Sequence, residues 1–176
     1  MFRATSEQSA DRLTAFRAVR PGVHWDALED FRLYTGSEWQ LSRARMLGEA
    51  AQRLAEGEHC LTVVDQGILA HYHWLQLGRQ EITFPEIGAT YPLPPGSAVS
   101  YRAYTEPALR GRGLHRLSSR ECVNTAFALG AKQIFSGVLE ANVPSRRAVE
   151  GAGYRPVARF ICVRRLGLRR VRLEPL

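Results

Sequence analysis

Hydrophobic positions along the chain follow two periods, and each change of period marks an element. Residues 59–64 and 68–77 are extended runs joined at Asp65-Gln66-Gly67, where Asp and Gly supply a turn, so they predict a hairpin. Residues 97–105, rich in Val, Tyr and Thr and followed by Pro107, predict another strand. From 113 to 129 the period becomes helical: Leu114, Leu117, Cys122, Ala126 and Leu129 recur at helical spacing, and Gly130 suits the left-handed conformation after a helix end. Beyond it, 133–139 reads as a strand and 144–152 as a short helix ended by Gly153. Residues 159–165 and 168–173 read as two terminal strands parted at Gly167.

The first third is less regular. Ser6 or Ser9 is placed to start a helix through Leu13 and Phe16. Ser37 with Glu38 is placed to start one running to about Glu56, with Leu41, Arg45 and Leu54 on one stripe and Met46, Leu47 and Ala50 near it. Tyr91-Pro92-Leu93-Pro94-Pro95-Gly96 reads as a loop between strands. Strands come first, then strand, helix, strand, helix, strand, an order that predicts an α/β (α+β) fold with one mixed sheet. At 176 residues and 45% hydrophobic content the chain suits a single domain, 1–176.

Composition narrows the possible classes. No apolar run approaches the ~18 residues of a spanning helix, and Met1-Phe2-Arg3-Ala4-Thr5-Ser6-Glu7 lacks the order of a secretory signal, so the chain reads as cytoplasmic, with no membrane span. Cys60, Cys122 and Cys162 lie far apart among apolar neighbours, without metal-site spacing, and read as buried free thiols; no metal is expected. Lys and Arg number 24 against 17 Asp and Glu, a net +7 that attracts polyanions: coenzyme A phosphates, nucleic acid or an anionic membrane surface. Only Lys132 is a lysine, so the arginine content reflects base composition as much as any ligand. Nucleic acid is disfavoured because the exposed, interleaved aromatics of an RNA module are missing.

The chemistry concentrates at Tyr104-Thr105-Glu106-Pro107-Ala108-Leu109-Arg110-Gly111-Arg112-Gly113-Leu114-His115, where a strand ends, a glycine-bearing turn follows and a helix starts. Such a turn presents backbone N–H groups at the positive end of a helix dipole, a geometry that binds phosphate or pyrophosphate. Two plainer readings stand beside it: a solvated turn, or a fragment of an arginine-glycine RNA-binding tract.

Two motifs resemble those of the GCN5-related (GNAT) acyltransferases. Pro107, Arg110 and Gly113 match the family's Pro, Gln or Arg, and Gly. Downstream, Asn142, Ser145, Gly153 and Tyr154 match its Asn, small residue, and Gly followed by an aromatic. The resemblance implies a mixed central sheet, flanked by helices, whose fourth and fifth strands (97–105 and 133–139) splay around the pantetheine arm of acetyl-CoA or another acyl-CoA. Residues of about 1–96 would form the acceptor side and 97–160 the acyl-CoA side. By the same resemblance, backbone groups near Ala103, Tyr104 and Thr105 would hold the arm. N–H groups across Leu109, Arg110, Gly111, Arg112, Gly113, Leu114 and His115 would hold the pyrophosphate, with Asn142 and Ser145 lining the other side. It implies N-acetyl transfer to a small-molecule amine, with an acyl carrier protein or a homodimer as further partners.

The sequence departs from the family at two places. His115 stands where the family has Gly or Ala, and Val149 where it often has a Tyr that protonates the departing thiolate. Tyr101 and Tyr104 are the replacements within reach on the strand. His71 and His73, alternating on one face of their strand, and Glu140 are the candidate bases. The tail packs Arg164, Arg165, Arg169, Arg170 and Arg172 between apolar residues, a solvated basic face or a site for an anionic substrate or membrane. A longer-chain acyl donor, or a CoA-binding protein without catalysis, are the rival readings.

Overall fold

Each strand-forming run needs a partner for its backbone groups, and in the computed structural model most find one in a single sheet; the structure describes residues 1–5, 22–36, 42–165 and 168–176. The elements are β1 (Phe2–Thr5), β2 (Val23–Trp25), a 3-10 helix (Leu28–Leu33), α1 (Arg43–Ala55), β3 (His59–Asp65), β4 (Ile68–Leu77), β5 (Glu81–Phe84) and β6 (Ala89–Pro92). They continue with β7 (Ser97–Thr105), a 3-10 turn (Pro107–Leu109), α2 (Leu114–Ala128), β8 (Gln133–Ser136), α3 (Val143–Gly151), β9 (Arg155–Pro156), β10 (Ala158–Arg165) and β11 (Leu168–Pro175).

The sheet has seven strands in the order β2-β3-β4-β7-β8-β1-β9, while β5–β6 and β10–β11 form separate two-stranded hairpins. All its pairings are antiparallel except β7–β8, which α2 joins as a crossover and which runs parallel. It is the mixed, helix-flanked sheet expected, with β7 and β8 in the places of the fourth and fifth family strands.

Helices cover both faces. On one, α2 and α3 bury Cys122, Val123, Ala126 and Val149 with Leu75, Ala98, Ile134 and Tyr154. On the other, α1 and the Leu28–Leu33 helix pack Met46, Ala50, Phe31 and Tyr34 against Tyr72 and Trp74 of β4. The hairpins extend this second face through Ile82, Val99, Phe135 and Ala158. Cys60 and Cys122 are buried free thiols, and Cys162 is half-buried.

Several boundaries differ from expectation. The helix expected from Ser37 begins at Arg43: Ser42 is extended (φ −70°, ψ 155°), and its Oγ accepts from the Arg45 N–H at 3.3 Å, which caps the helix there. Ser37, Glu38 and Leu41 lie outside the described residues, as does the helix expected around Ser6 to Phe16. Strand 133–139 stops at Ser136. Tyr91 and Pro92, read as loop, belong to β6. Strands β1, β2, β5 and β6 went unread because each is at most four residues long, too short to show a period.

Candidate functional site

Strands β7 and β8 pair over only four positions, from Ser97 opposite Gln133 to Ser100 opposite Ser136. β8 then leaves the sheet at Gly137, where a β-carbon would lie 2.5 Å from the Phe84 ring, so the close approach of hairpin β5–β6 requires glycine. β7 continues to Thr105 with β4 on its other edge. Residues 101–105 therefore present a strand edge that β8 does not cover, to which an extended amide-bearing molecule can add as a strand does.

A bulge lies in this stretch. Tyr101 faces Trp74 and Tyr104 faces Tyr72, so Arg102 and Ala103 together oppose His73, and Arg102 takes a positive φ of 48°, the left-handed conformation of the first residue in a G1-type bulge. Residues three apart on a regular strand face opposite ways; the extra residue puts both tyrosines on the α1 face. Glu49 of α1 holds the Arg102 guanidinium at 3.1 Å.

The turn after β7 is anchored at its start by Glu106, whose N–H donates to the Ala70 carbonyl (2.9 Å), and by buried Leu109. Gly111 (φ 79°) and Gly113 (φ 78°) are left-handed, and Gly113 is the N-cap of α2. Among the described residues no side chain caps this helix, and its first turn holds no acidic residue. The N–H groups of Leu114, His115 and Arg116 thus precede the first intrahelical bond, from Leu117 to the Gly113 carbonyl (3.0 Å), and the dipole's positive end is uncompensated. Arg110 donates to the Thr105 carbonyl at 3.1 Å, and Arg112 pairs with Asp65 at 3.0 Å. One turn into α2, the Ser119 hydroxyl is fully buried without a hydrogen-bond partner among the described residues.

Beneath this turn three of the five histidines meet. Ser118 Oγ lies 3.0 Å from the His115 carbonyl, 2.7 Å from His71 Nε2 and 3.0 Å from His73 Nδ1. A carbonyl only accepts, so the single hydroxyl hydrogen goes to His115 and both ring nitrogens must donate to Ser118. His71 is therefore the Nε2–H tautomer, with its Nδ1 accepting from Thr105 Oγ1 at 2.8 Å. His73 is the Nδ1–H tautomer, which leaves its Nε2 lone pair free among the described residues. Burial holds all three rings neutral: His71 is lowered to about 3, His73 well below its usual value, and His115 likewise downward, with the neighbouring rings adding to the first two. The His115 side chain turns into this cluster, its ring 6.0 Å from that of His71 and 5.4 Å from that of His73.

The α1 face holds the tyrosines. Tyr101 donates to Glu58 and accepts from Arg53 (2.5 Å), whose guanidinium sits 5.5 Å over both the Trp74 and Tyr101 rings. Burial and the Glu58 carboxylate raise the Tyr101 pKa, so its proton is firmly held. Tyr104 stacks on Tyr72 (5.4 Å) and donates to Glu106 at 3.2 Å, while Thr35 donates to the same carboxylate at 2.7 Å. Glu106 is buried, 8% exposed, and sequence reasoning passed it over as a turn residue. Its one signal is position, a carboxylate between a strand end and Pro107.

Across the gap, Asn142 caps α3, its Oδ1 accepting from the Ser145 N–H at 3.2 Å, which explains the three-residue spacing. Glu140 pairs with Arg159 at 3.3 Å on the far side of β8, away from the tyrosines and histidines. Val149 is fully buried and brings no hydroxyl to the gap.

No protein-family model and no curated protein matches the sequence. Solved structures do match. Aminoglycoside 6′-N-acetyltransferase from Acinetobacter haemolyticus superposes with a TM-score of 0.54 at 20% identity, over 76% of this chain and 90% of its own. The aminoglycoside N-acetyltransferase AAC(6′)-Iy, bound to a CoA-derived bisubstrate analogue, gives 0.60 at 14% identity over 81% and 96%. Glucosamine-6-phosphate N-acetyltransferase from Arabidopsis thaliana gives 0.51 at 9% over 72% and 88%. At these identities the likeness is one of fold: the chain has the GNAT acetyltransferase fold.

Proposed function

We propose that the chain is an N-acyltransferase that moves an acetyl group from acetyl-CoA to an amine by direct attack. The observation that carries this reading is the uncovered β7 edge at 101–105, which leads through the 106–113 turn into the uncapped N-terminus of α2. An amide-bearing pantetheine arm finds strand partners on the first part, and a pyrophosphate finds N–H groups on the second. The orphan Ser119 hydroxyl, one turn into α2, supplies a further unspent polar group.

In this reading the amine nitrogen attacks the thioester carbonyl, a C–N bond forms, the C–S bond breaks and coenzyme A leaves as thiolate. The amine proton passes through Tyr104 Oη to the Glu106 carboxylate, a pair already hydrogen-bonded at the end of the open edge. Tyr101 keeps its proton on Glu58 and serves to fix α1 against β7. The histidines hold the first turn of α2 onto β4 through Ser118.

Calorimetry of acetyl-CoA with wild type and Gly113→Pro tests the donor site, since proline removes an N–H and cannot adopt φ 78°. The expected result is binding by wild type and its loss in a variant whose circular dichroism is unchanged. Absence of wild-type binding to acetyl-CoA and to longer acyl-CoA would end the transferase reading. The same titration with acetyl-CoA, octanoyl-CoA and an acylated carrier protein ranks the donors.

A further inference from the structure

The basic tail of the sequence forms hairpin β10–β11, a two-stranded unit separate from the main sheet. From Phe160 to Leu173 it holds five arginines, no acidic residue, and otherwise only apolar residues and one glycine. A hairpin turn that faces water is ordinarily rich in Asn, Asp, Ser and Gly; here the sequence between the strands is Arg165-Leu166-Gly167-Leu168.

The register divides the side chains between two faces. The inner face carries Phe160 opposite Leu173 and Cys162 opposite Val171, and it packs on hairpin β5–β6, with the Phe160 ring 5.3 Å from Phe84 and 6.2 Å from Tyr91. The outer face carries Ile161 opposite Arg172, Val163 opposite Arg170 and Arg165 opposite Leu168. Each of these pairs joins an aliphatic side chain to an arginine. Leu168 is 71% and Val163 54% exposed, and the three arginines are exposed beside them.

The charges sort by position along the hairpin. At its base Arg159 is matched by Glu140 at 3.3 Å and Arg172 by Glu174, and the carboxylate of Leu176 lies at this same end, where the Leu176 N–H donates to the Val157 carbonyl. Arg169, on the inner face, donates to the Glu86 backbone carbonyl at 3.4 Å, so Glu86 is set against it. Arg165 and Arg170, on the outer face towards the tip, have no carboxylate partner among the described residues.

We propose that this outer face docks the protein peripherally on an anionic phospholipid bilayer, with Leu168 and Val163 at the headgroup boundary and Arg165 and Arg170 on lipid phosphates. Cations without internal partners call for an anionic occupant, and the aliphatic side chains set between them call for one that also offers hydrocarbon. Duplex nucleic acid offers phosphates but nothing for Leu168 to enter. A second copy seated face to face would set arginine against arginine. The proposal goes beyond the transfer reading and does not depend on it, since the hairpin stands outside the sheet that carries the open β7 edge.

Co-sedimentation of the full chain with phosphatidylcholine vesicles, with and without about one-third phosphatidylglycerol, tests it at about 0.1 M salt. The chain is expected to pellet with the anionic vesicles and to stay in solution with the neutral ones. Arg165→Gln combined with Arg170→Gln should weaken binding about 25-fold, at about fivefold for each cation near the surface. Leu168→Ser should weaken it about tenfold, and circular dichroism should be unchanged in both variants. Equal binding to the two vesicles, binding to neither, or wild-type affinity in the double arginine variant would overturn the proposal. So would a Leu168→Ser variant of full affinity, which marks a polyanion site without bilayer contact, or tighter binding to a short DNA duplex or an acidic acyl carrier protein than to the vesicles. A dimer in sedimentation velocity that Leu168→Ser dissolves would give the face to a second copy instead and overturn it as well.

Discussion

Lowering the pH from 7.5 to 5.0 should destabilise this protein more than its carboxylates account for, because the His71 imidazole is buried as a neutral donor and acceptor. Its folded-state pKa of about 3 lies below the ordinary 6.5. Between those values the unfolded chain binds a proton that the folded chain refuses, so stability rises with pH across the window and is lost as pH falls through it. For one group moving from 6.5 to about 3, the loss between pH 7.5 and 5.0 is about 2 kcal/mol. His73 and His115 add to it in the same direction. Stopping at pH 5.0 keeps ordinary carboxylates, near 4, largely ionised.

Urea unfolding at the two pH values measures the effect. With a slope of about 2 kcal/mol/M, the wild-type midpoint should fall by about 1 M or more. His71→Gln keeps an N–H for Ser118 and removes the titration, so its loss on acidification should be about 2 kcal/mol smaller than that of wild type. Comparing the two chains subtracts every other titrating group. A wild-type midpoint that does not move, or a variant with the same pH dependence as wild type, would refute the buried neutral assignment.

Ser118→Ala strips both His71 Nε2–H and His73 Nδ1–H of their acceptor and should cost about 2–5 kcal/mol, a fall of roughly 5–15 °C in thermal midpoint, with weaker acetyl-CoA binding as the first turn of α2 loosens. Gly113→Ala meets no atom within 4 Å, so its stability cost is the backbone term alone, about 1–2 kcal/mol by urea unfolding; a rise in the Kd for acetyl-CoA beyond that of Gly111→Ala would locate the phosphates at α2. Tyr104→Phe and Glu106→Gln should each lower kcat by about tenfold or more with the KM for acetyl-CoA unchanged, whereas Tyr101→Phe should lower stability and leave kcat within about threefold. The opposite ranking of the two tyrosines in steady-state kinetics would reverse their roles.

The elements from β7 to α3 were legible because their signals are local. Gly113 at the N-cap, Asn142 bonding three residues ahead to Ser145, and the stripe of Cys122 and Ala126 each depend on neighbours a turn away. The site's other half depends on contacts distant in sequence. Glu106 meets Thr35 across 71 positions, and Tyr101 meets Arg53 across 48; nothing in either residue's own neighbourhood announces its partner. His71 and His73 were seen to share a face, but what covers that face, Ser118, is 45 positions or more away, so their buried, neutral state was not readable. Glu140 directly follows the stretch 133–139 read as a strand, but β8 stops at Ser136, so Glu140 lies beyond it, paired with Arg159.

Two one-residue irregularities make the site, and packing holds each of them. The bulge at Arg102 places that residue in a sparsely populated backbone conformation, with an expected cost of about 1–3 kcal/mol, and β7 would relax to a regular register without compensation. Compensation comes from both faces at once. Glu49, Arg53 and Glu58 hold Arg102 and Tyr101 from the α1 side, while His71 holds Thr105 from the α2 side. The early departure of β8 is held in turn by Phe84 packed against Gly137. The gap is thus built into the sheet itself, and a strand edge already open and fixed spends no binding energy on being opened. The same construction explains why the α1 face is crowded with tyrosines: the bulge turns both Tyr101 and Tyr104 toward α1, one to fasten the helix and one to reach Glu106.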